Sequence, residues 1–283
     1  MRARPVRREV DVAPNRSRAL LGGALLLLGL CLGPWASLWP APAQARPAAA
    51  PCPADRVDLQ GRVAAVADGD TLRLADGRRV RLAGINAPEV AHEGRAAEPH
   101  GEEARARLRR LLPPGSRVAL RLGQQRQDRY GRLLAHVYRE GRSIQATLLR
   151  EGLAVAIVVP PNGWHRACYF RMEAEARLAR RGVWADWFPV PAARLAPDTK
   201  GFRVVRGRLT GLRPTRRSLW LVVEGGRLRA RIAREDLHRF RGLDLEGAVG
   251  RPVELRGWLR PYRGVPTLRL RHPAMLRLPG GPP

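Results

Sequence analysis

The sequence predicts two small β-barrels in series, the first of α+β character with helices around it and the second mostly β. Three observations point there. Period-two alternation begins near residue 57 and turns at Asp-Gly dipeptides. Helical stretches interrupt the strands that follow. Beyond a proline-bearing break at 186–200, the order is three strands, a short helix and two strands, the order of an OB-type barrel.

The first strand is expected over 57–67, and Asp68-Gly69-Asp70 turns the chain. Leu72 and Leu74 then alternate with Thr71 and Arg73, Asp76-Gly77 marks a hairpin, and Val80 and Leu82 resume the pattern. Period two sets Arg79 and Arg81 on the face opposite those aliphatics. A helix at about 99–112 carries Ala104, Leu108, Leu111 and Leu112 as its apolar stripe, and Pro113-Pro114-Gly115 stops it. Strands follow at 117–122 and 133–138. Ser143 caps a short helix through Arg150 that Gly152 ends, and another strand runs to Val159. The last helix of this domain, 165–181, places Tyr169, Met172, Ala176 and Ala179 on one side. Residues 57–185 form the first domain and 186–200, with three prolines and little periodicity, a linker. The second domain, 201–278, takes strands at 202–211, 218–223, 227–232, 252–260 and 265–271 and a short helix at 235–240.

A hydrophobic share of 45% in 283 residues is enough for packed cores. The formal charge of +27 comes almost wholly from arginine, Lys200 being the only lysine. Genomic base composition explains arginine in place of lysine, but not a twofold excess of basic over acidic residues. That excess favours polyanionic partners, phosphate backbones or anionic lipid, and says nothing about chemistry. Residues 1–45 read as a targeting segment: six arginines against Glu9 and Asp11, a run of Ala, Leu and Gly over 19–30, then Ala43-Gln44-Ala45. The expectation is a cleaved signal peptide or, since the apolar run reaches Trp39, an anchor tethering the chain to the inner membrane. Pro34 and Pro40 favour the signal. The protein is therefore expected to be exported, periplasmic or extracellular. Residues 46–56 form a Pro- and Ala-rich lead-in, expected to be flexible. Without the leader only Cys52 and Cys168 remain, either one disulfide in an oxidising compartment or two unrelated buried thiols. So far apart, they make a poor zinc site.

Four patches stand out together. Asp68-Gly69-Asp70-Thr71 offers two carboxylates on a tight turn, hard oxygen ligands for Ca²⁺ or Mg²⁺. Arg81-Leu82-Ala83-Gly84-Ile85-Asn86-Ala87-Pro88-Glu89 sets an arginine at one end and a carboxylate at the other. Asp128-Arg129-Tyr130-Gly131-Arg132 presents an arginine at a strand entrance. Gly152-Leu153-Ala154 reads as a helix stop feeding a core strand.

In this order and at these spacings the patches resemble the thermonucleases, the staphylococcal-nuclease-like family, over about residues 57–184. The resemblance implies a five-stranded OB-type barrel with three helices. It implies a Ca²⁺-dependent endonuclease for DNA and/or RNA, Mg²⁺ being the alternative ion, with no small-molecule cofactor and with 3′-phosphate ends as product. Asp70 matches the main carboxylate ligand, and Asn86 and the Ala87 carbonyl match further ligand positions. Glu89 matches the general base, Arg81 and Arg132 the two arginines that grip the scissile phosphate, and Arg129 and Tyr130 nucleotide contacts. Two departures stand out. Asn86 replaces the more frequent aspartate, which removes one negative charge from the metal shell. Ile157 and Val159 stand where two tyrosines line the nucleotide pocket, so any base preference should differ. The rival reading is a nucleic-acid-binding protein with a decayed site, and a third is a basic protein bound to anionic lipid or wall polymer. In the second domain, Trp220, Trp258 and Tyr262 are either packing residues or stacking platforms.

Overall fold

The computed structural model describes residues 50–92, 94 and 96–278. The leader and the start of the lead-in lie outside the described residues. Among those described, no helix is long and apolar enough to cross a membrane.

The first part of the chain runs β1 (Leu59–Asp68), β2 (Thr71–Leu74), β3 (Arg79–Leu82), β4 (Ile85–Asn86), α1 (Gly101–Leu111), β5 (Arg117–Gln127), β6 (Leu133–Arg139), β7 (Arg142–Ser143), α2 (Ile144–Arg150), β8 (Val155–Ala156), α3 (Arg166–Leu178) and α4 (Val183–Asp186). The sheet order β3-β2-β1-β5-β6 closes through a parallel β3–β6 pairing into a five-stranded barrel. Two register irregularities in β1 allow this one strand to bend and serve two partners. The alternating Leu72, Leu74, Val80 and Leu82 fill the barrel with Leu120, Ala135 and Val137. The Ser143 hydroxyl accepts a hydrogen bond from the Ala146 amide and starts α2 as its sequence suggests.

The second barrel comprises β9 (Val190–Pro191), β10 (Gly201–Pro214), β11 (Ser218–Val223), β12 (Leu228–Ala233), β13 (Pro252–Tyr262), β14 (Val265–Leu270) and β15 (Leu276–Arg277). Its order β10-β11-β12-β14-β13 closes through β13–β10, with β12 and β14 parallel. Both barrels therefore share one strand order, two five-stranded OB-like folds in a row. A 3-10 helix, Arg234–Phe240, stands where a short helix was expected.

Four local expectations differ from the structure. The strand expected to reach Val159 is only β8, two residues long. Past Ala156 the amides find other acceptors: Ile157 donates to the Gly84 carbonyl and Val158 to Met275 Sδ. Helix α3 ends at Leu178, which leaves Ala179 exposed off its buried side. The segment read as a linker is packed, because the apolar residues among its prolines are buried. Phe188, Ala192 and Leu195 enter the core, and β9 pairs with β10. The described part of the lead-in is tied down: Cys52 bonds Cys168, Pro53 O accepts from His165 Nε2 at 2.6 Å, and Asp55 meets Arg121 at 3.2 Å. The second barrel's apolar cluster also takes in Val155, Ile157, Ala176, Val183 and Trp184 from the first.

Candidate active site

Strand register brings distant patches of sequence together. Thr71 faces Arg81 across β2–β3, and β3 runs beside the start of β6, with Val80 opposite Leu133. Arg132, at the entrance of β6, therefore arrives next to the Asp68–Thr71 turn. Its Nη1 lies 3.5 Å from Thr71 Oγ1, and Thr71 in turn donates to Asp70 Oδ1 at 3.2 Å.

The turn is shaped by its own residues. Asp68 Oδ1 accepts from the Asp70 amide at 2.9 Å. A Cβ on Gly69 would lie 2.6 Å from Ala87 Cβ and 2.8 Å from Ala104 Cβ, so only glycine lets the turn press against both. Asp70 is buried, and its Oδ2 receives the Ala87 amide at 2.8 Å and Arg81 Nη2 at 2.8 Å. The same Arg81 nitrogen donates to Asn86 Oδ1 at 3.0 Å, while Nη1 donates to the Leu82 and Ile85 carbonyls. Asn86 Nδ2 donates to the Ala87 carbonyl at 3.0 Å. β4 holds Asn86 in place by pairing with β8, Asn86 opposite Val155. One guanidinium thus ties together the carboxylate and the amide oxygen that the sequence singled out, along with two neighbouring carbonyls.

Electrostatics fits this crowding. Burial pushes the Asp70 carboxyl up to about 7; Arg81 pulls it down and the adjacent Asp68 adds to the rise. Glu89 is reachable from solvent, yet protein packed around it raises its carboxyl above the usual range. The charges of Asp68 and Glu98 raise it further, and Arg81 and His92 oppose them. Its amide donates to Glu98 Oε2 at 3.0 Å, and among the described residues its carboxylate has no hydrogen-bond partner.

Asp128 orients Arg132. Asp128 Oδ2 accepts from Arg132 Nε at 2.8 Å, and its Oδ1 receives the Tyr130 and Arg132 amides. Tyr130 is exposed, with the Arg129 guanidinium 4.7 Å and that of Arg132 5.5 Å from its ring centre. Ile157 is buried and Val159 partly exposed.

The donor set suits a hard divalent cation: the carboxylates of Asp68 and Asp70, the Asn86 amide oxygen and the Ala87 carbonyl. Like charges gathered around one arginine are relieved by such an ion. Among the described residues no three His, Cys, Asp or Glu side chains form a cage by themselves, so main-chain and amide oxygens would have to contribute. Two surface concavities of about 500 and 530 Å³ lie elsewhere and are lined by none of these groups.

The sequence of residues 79–186 matches the family model described as staphylococcal nuclease homologue. The thermonuclease of Staphylococcus intermedius is 33% identical over 133 residues, covering 45% of this chain and 79% of that protein. This chain belongs to the staphylococcal nuclease homologue family. The prophage-derived endonuclease YokF of Bacillus subtilis is 37% identical over 123 residues, 42% of this chain and 41% of that protein. Endonuclease YncB of the same organism is also 37% identical over 123 residues and is covered to 58%. The chain thus spans roughly half the length of these two relatives. The family match begins at Arg79, so the Asp68–Thr71 turn lies before it and joins the site through its contacts to Arg81 and Ala87.

Three contributors were not given roles from sequence. Thr71 links Asp70 to Arg132, and Asp128 aims Arg132; both sit inside the motifs, where only contacts reveal their part. Glu98 has no local signal, since it meets Glu89 across a loop. Two histidines hold structural positions. His136 is buried, with Nδ1 2.8 Å from the Tyr169 hydroxyl, and His100 bridges Glu103 and Asp186 at 2.9 Å each.

Proposed function

We propose that this chain is an exported, metal-dependent endonuclease that hydrolyses phosphodiester bonds of DNA and/or RNA. The observation that carries the reading is Arg81 bonded at once to Asp70 and Asn86 while its charge acts on Glu89. A phosphodiester repels an incoming anion, so hydrolysis needs its charge neutralised and a water deprotonated beside it. Arg132, pre-aimed by Asp128, presents permanently charged donors to the phosphate oxygens, and Arg81, whose Nη groups are engaged by Asp70, Asn86 and two carbonyls, adds its positive charge beside them. Glu89, its proton affinity raised, takes the proton from the attacking water. Asp70, Asn86 and the Ala87 carbonyl would hold Ca²⁺, or Mg²⁺ in its place. When bound, that ion supplies Lewis-acid polarisation of a phosphoryl oxygen and acidifies water. Arg129 and Tyr130 line the approach as nucleotide contacts. Export is supported by the Cys52–Cys168 bond and the leader sequence. The decayed-binder alternative is less favoured, because Asp70, Arg81, Glu89 and Arg132 are all retained.

The test mixes the purified protein with plasmid and with single-stranded nucleic acid, in Ca²⁺, Mg²⁺ or chelator. Metal-dependent cutting that Glu89→Ser or Arg132→Ala lowers by about 10²–10³-fold is the expected result. Retardation of the nucleic acid without cutting under every metal would overturn it.

A further inference from the structure

The two barrels share a strand order, so their turns correspond, and the same corner can be compared in each. In the first barrel, the β5–β6 connection carries Arg129 and Tyr130 beside the β1–β2 turn with its two carboxylates. In the second, the β13–β14 turn carries Tyr262 and Arg263, with the Arg263 guanidinium 5.6 Å from the Tyr262 ring centre. Arg263 and Gly264 both adopt positive φ there, which keeps the hairpin tip tight. The β10–β11 turn, which takes the place of the carboxylates, contains Thr215, Arg216 and Arg217. The aromatic–arginine pair is thus repeated, while the acids are exchanged for cations.

This corner also carries a second aromatic. Trp220 on β11 stacks with Tyr262, ring centres 6.3 Å apart and planes 20° from parallel, and Tyr262 is half exposed. Trp220 pairs across strands with Arg213 on one side and Arg231 on the other. Among the described residues Arg213, Arg216, Arg217, Arg231 and Arg263 form no ion pair with a carboxylate. The neighbouring acids Glu235 and Asp236 are already engaged by Arg269. Near-parallel rings, Tyr262 exposed and Trp220 half-buried, amid unneutralised arginines suit one ligand chemistry: unpaired bases to stack on the aromatic surface, with phosphates for the cations. Duplex hides its base faces, and anionic lipid has none.

We propose that the second barrel is a non-hydrolytic grip for single-stranded nucleic acid, with Trp220 and Tyr262 stacking bases and Arg213, Arg216, Arg217 and Arg263 holding the backbone. No reacting group is needed there, and the corner that holds carboxylates in the first barrel holds none here.

The test measures fluorescence anisotropy of the full chain, in chelator, with three labelled probes of equal length: single-stranded oligothymidylate, an abasic strand and a duplex. The parent should bind oligothymidylate tighter than the abasic strand. Tyr262→Ser and Trp220→Ala should each weaken oligothymidylate about tenfold and leave the abasic strand unchanged, with Trp220→Phe retaining most of the affinity. Arg263→Ala should weaken all single strands and lower the salt slope by about one. Equal affinity for oligothymidylate and the abasic strand, or no selective loss in Tyr262→Ser, overturns the proposal, as does a parent preference for duplex. Tyr262 is exposed enough that its variant reports even if Trp220→Ala does not fold. Plasmid cutting read on the same Tyr262→Ser protein separates the two ideas, since the Asp70 cluster is untouched in it.

Discussion

Arg256 of the second barrel lies 2.8 Å from Glu173 of helix α3, both side chains almost fully buried. Between them sits Ala156. Its amide donates to Glu173 Oε2 at 2.7 Å, and its carbonyl accepts from Arg256 Nη1 at 3.0 Å. Glu254 completes the network, held below the usual carboxylate range by the Arg177 and Arg256 guanidiniums against the cost of its burial. Since Ala156 pairs with Ile85, one residue before Asn86, the second barrel braces the strand that carries a proposed metal ligand.

Arg256→Met should therefore cost stability. It strands the Glu173 charge in a buried site, a loss on the order of 3 kcal/mol, with Arg177 at 3.6 Å limiting the damage. Urea unfolding would measure it. A midpoint equal to the parent's would mean that the network is not the brace described.

His136 makes stability depend on acid. Burial, then the charges of Arg121 and His165, lower its pKa to about 3 from an ordinary 6.5. A base with a depressed folded value contributes nothing unfavourable above 6.5. As pH falls below that, the unfolded chain gains a proton that the folded one refuses, and stability drops until about pH 3. The slope from this one group is at most about 1.4 kcal/mol per pH unit. His136→Gln can still bond the Tyr169 hydroxyl and does not titrate. Its stability should fall less steeply than the parent's across this window in chemical denaturation at stepped pH. Parallel curves would exclude His136 as the source.

Much of this architecture was legible because it follows from periodicity. Strands such as β2 and β3 are half-buried, so Leu72, Leu74, Val80 and Leu82 announce themselves by alternation. The Ser143 cap and the Gly152 stop are local chemistry and needed no tertiary context. The segments misjudged are those whose partners lie far away. β8 is short because Met275, over a hundred residues on, takes the amide of Val158. The 186–200 stretch has no period of its own and is ordered by docking on β10. At the candidate site, charged residues in motifs were legible, but the residues that position them were not. Asp128 and Glu98 act through contacts set by register and loop path, which no spacing rule encodes.

Asn86 sets up a metal prediction. At present its Nδ2 occupies the Ala87 carbonyl, and its Oδ1 accepts from Arg81. Asn86→Asp removes the donor to that carbonyl, freeing it, and adds a negative charge next to Asp70. Calcium affinity should rise about tenfold, since ligand charge tunes such sites, while the metal-free protein loses stability through carboxylate repulsion. Calorimetric titration with Ca²⁺ and a thermal melt in chelator read the two effects. Unchanged affinity would mean that residue 86 lies outside the coordination sphere.

Asp128 offers the sharpest separation of positioning from chemistry. Three of its hydrogen bonds fix the β5–β6 turn and the Arg132 guanidinium together. Arg132→Ala removes the proposed donor to the phosphate and should lower kcat about 10²–10³-fold. Asp128→Asn keeps a side chain of the same shape and still accepts from the two amides through its oxygen. What it loses is the charged partner of Arg132 Nε. Arg132 is then free to swing away from Thr71, and kcat should fall about tenfold, because misorientation costs rate even where the group is retained. In the double variant, Asp128→Asn should add almost nothing to Arg132→Ala, since the two act through one guanidinium. Full additivity in steady-state kinetics would show that Asp128 serves the reaction by another route.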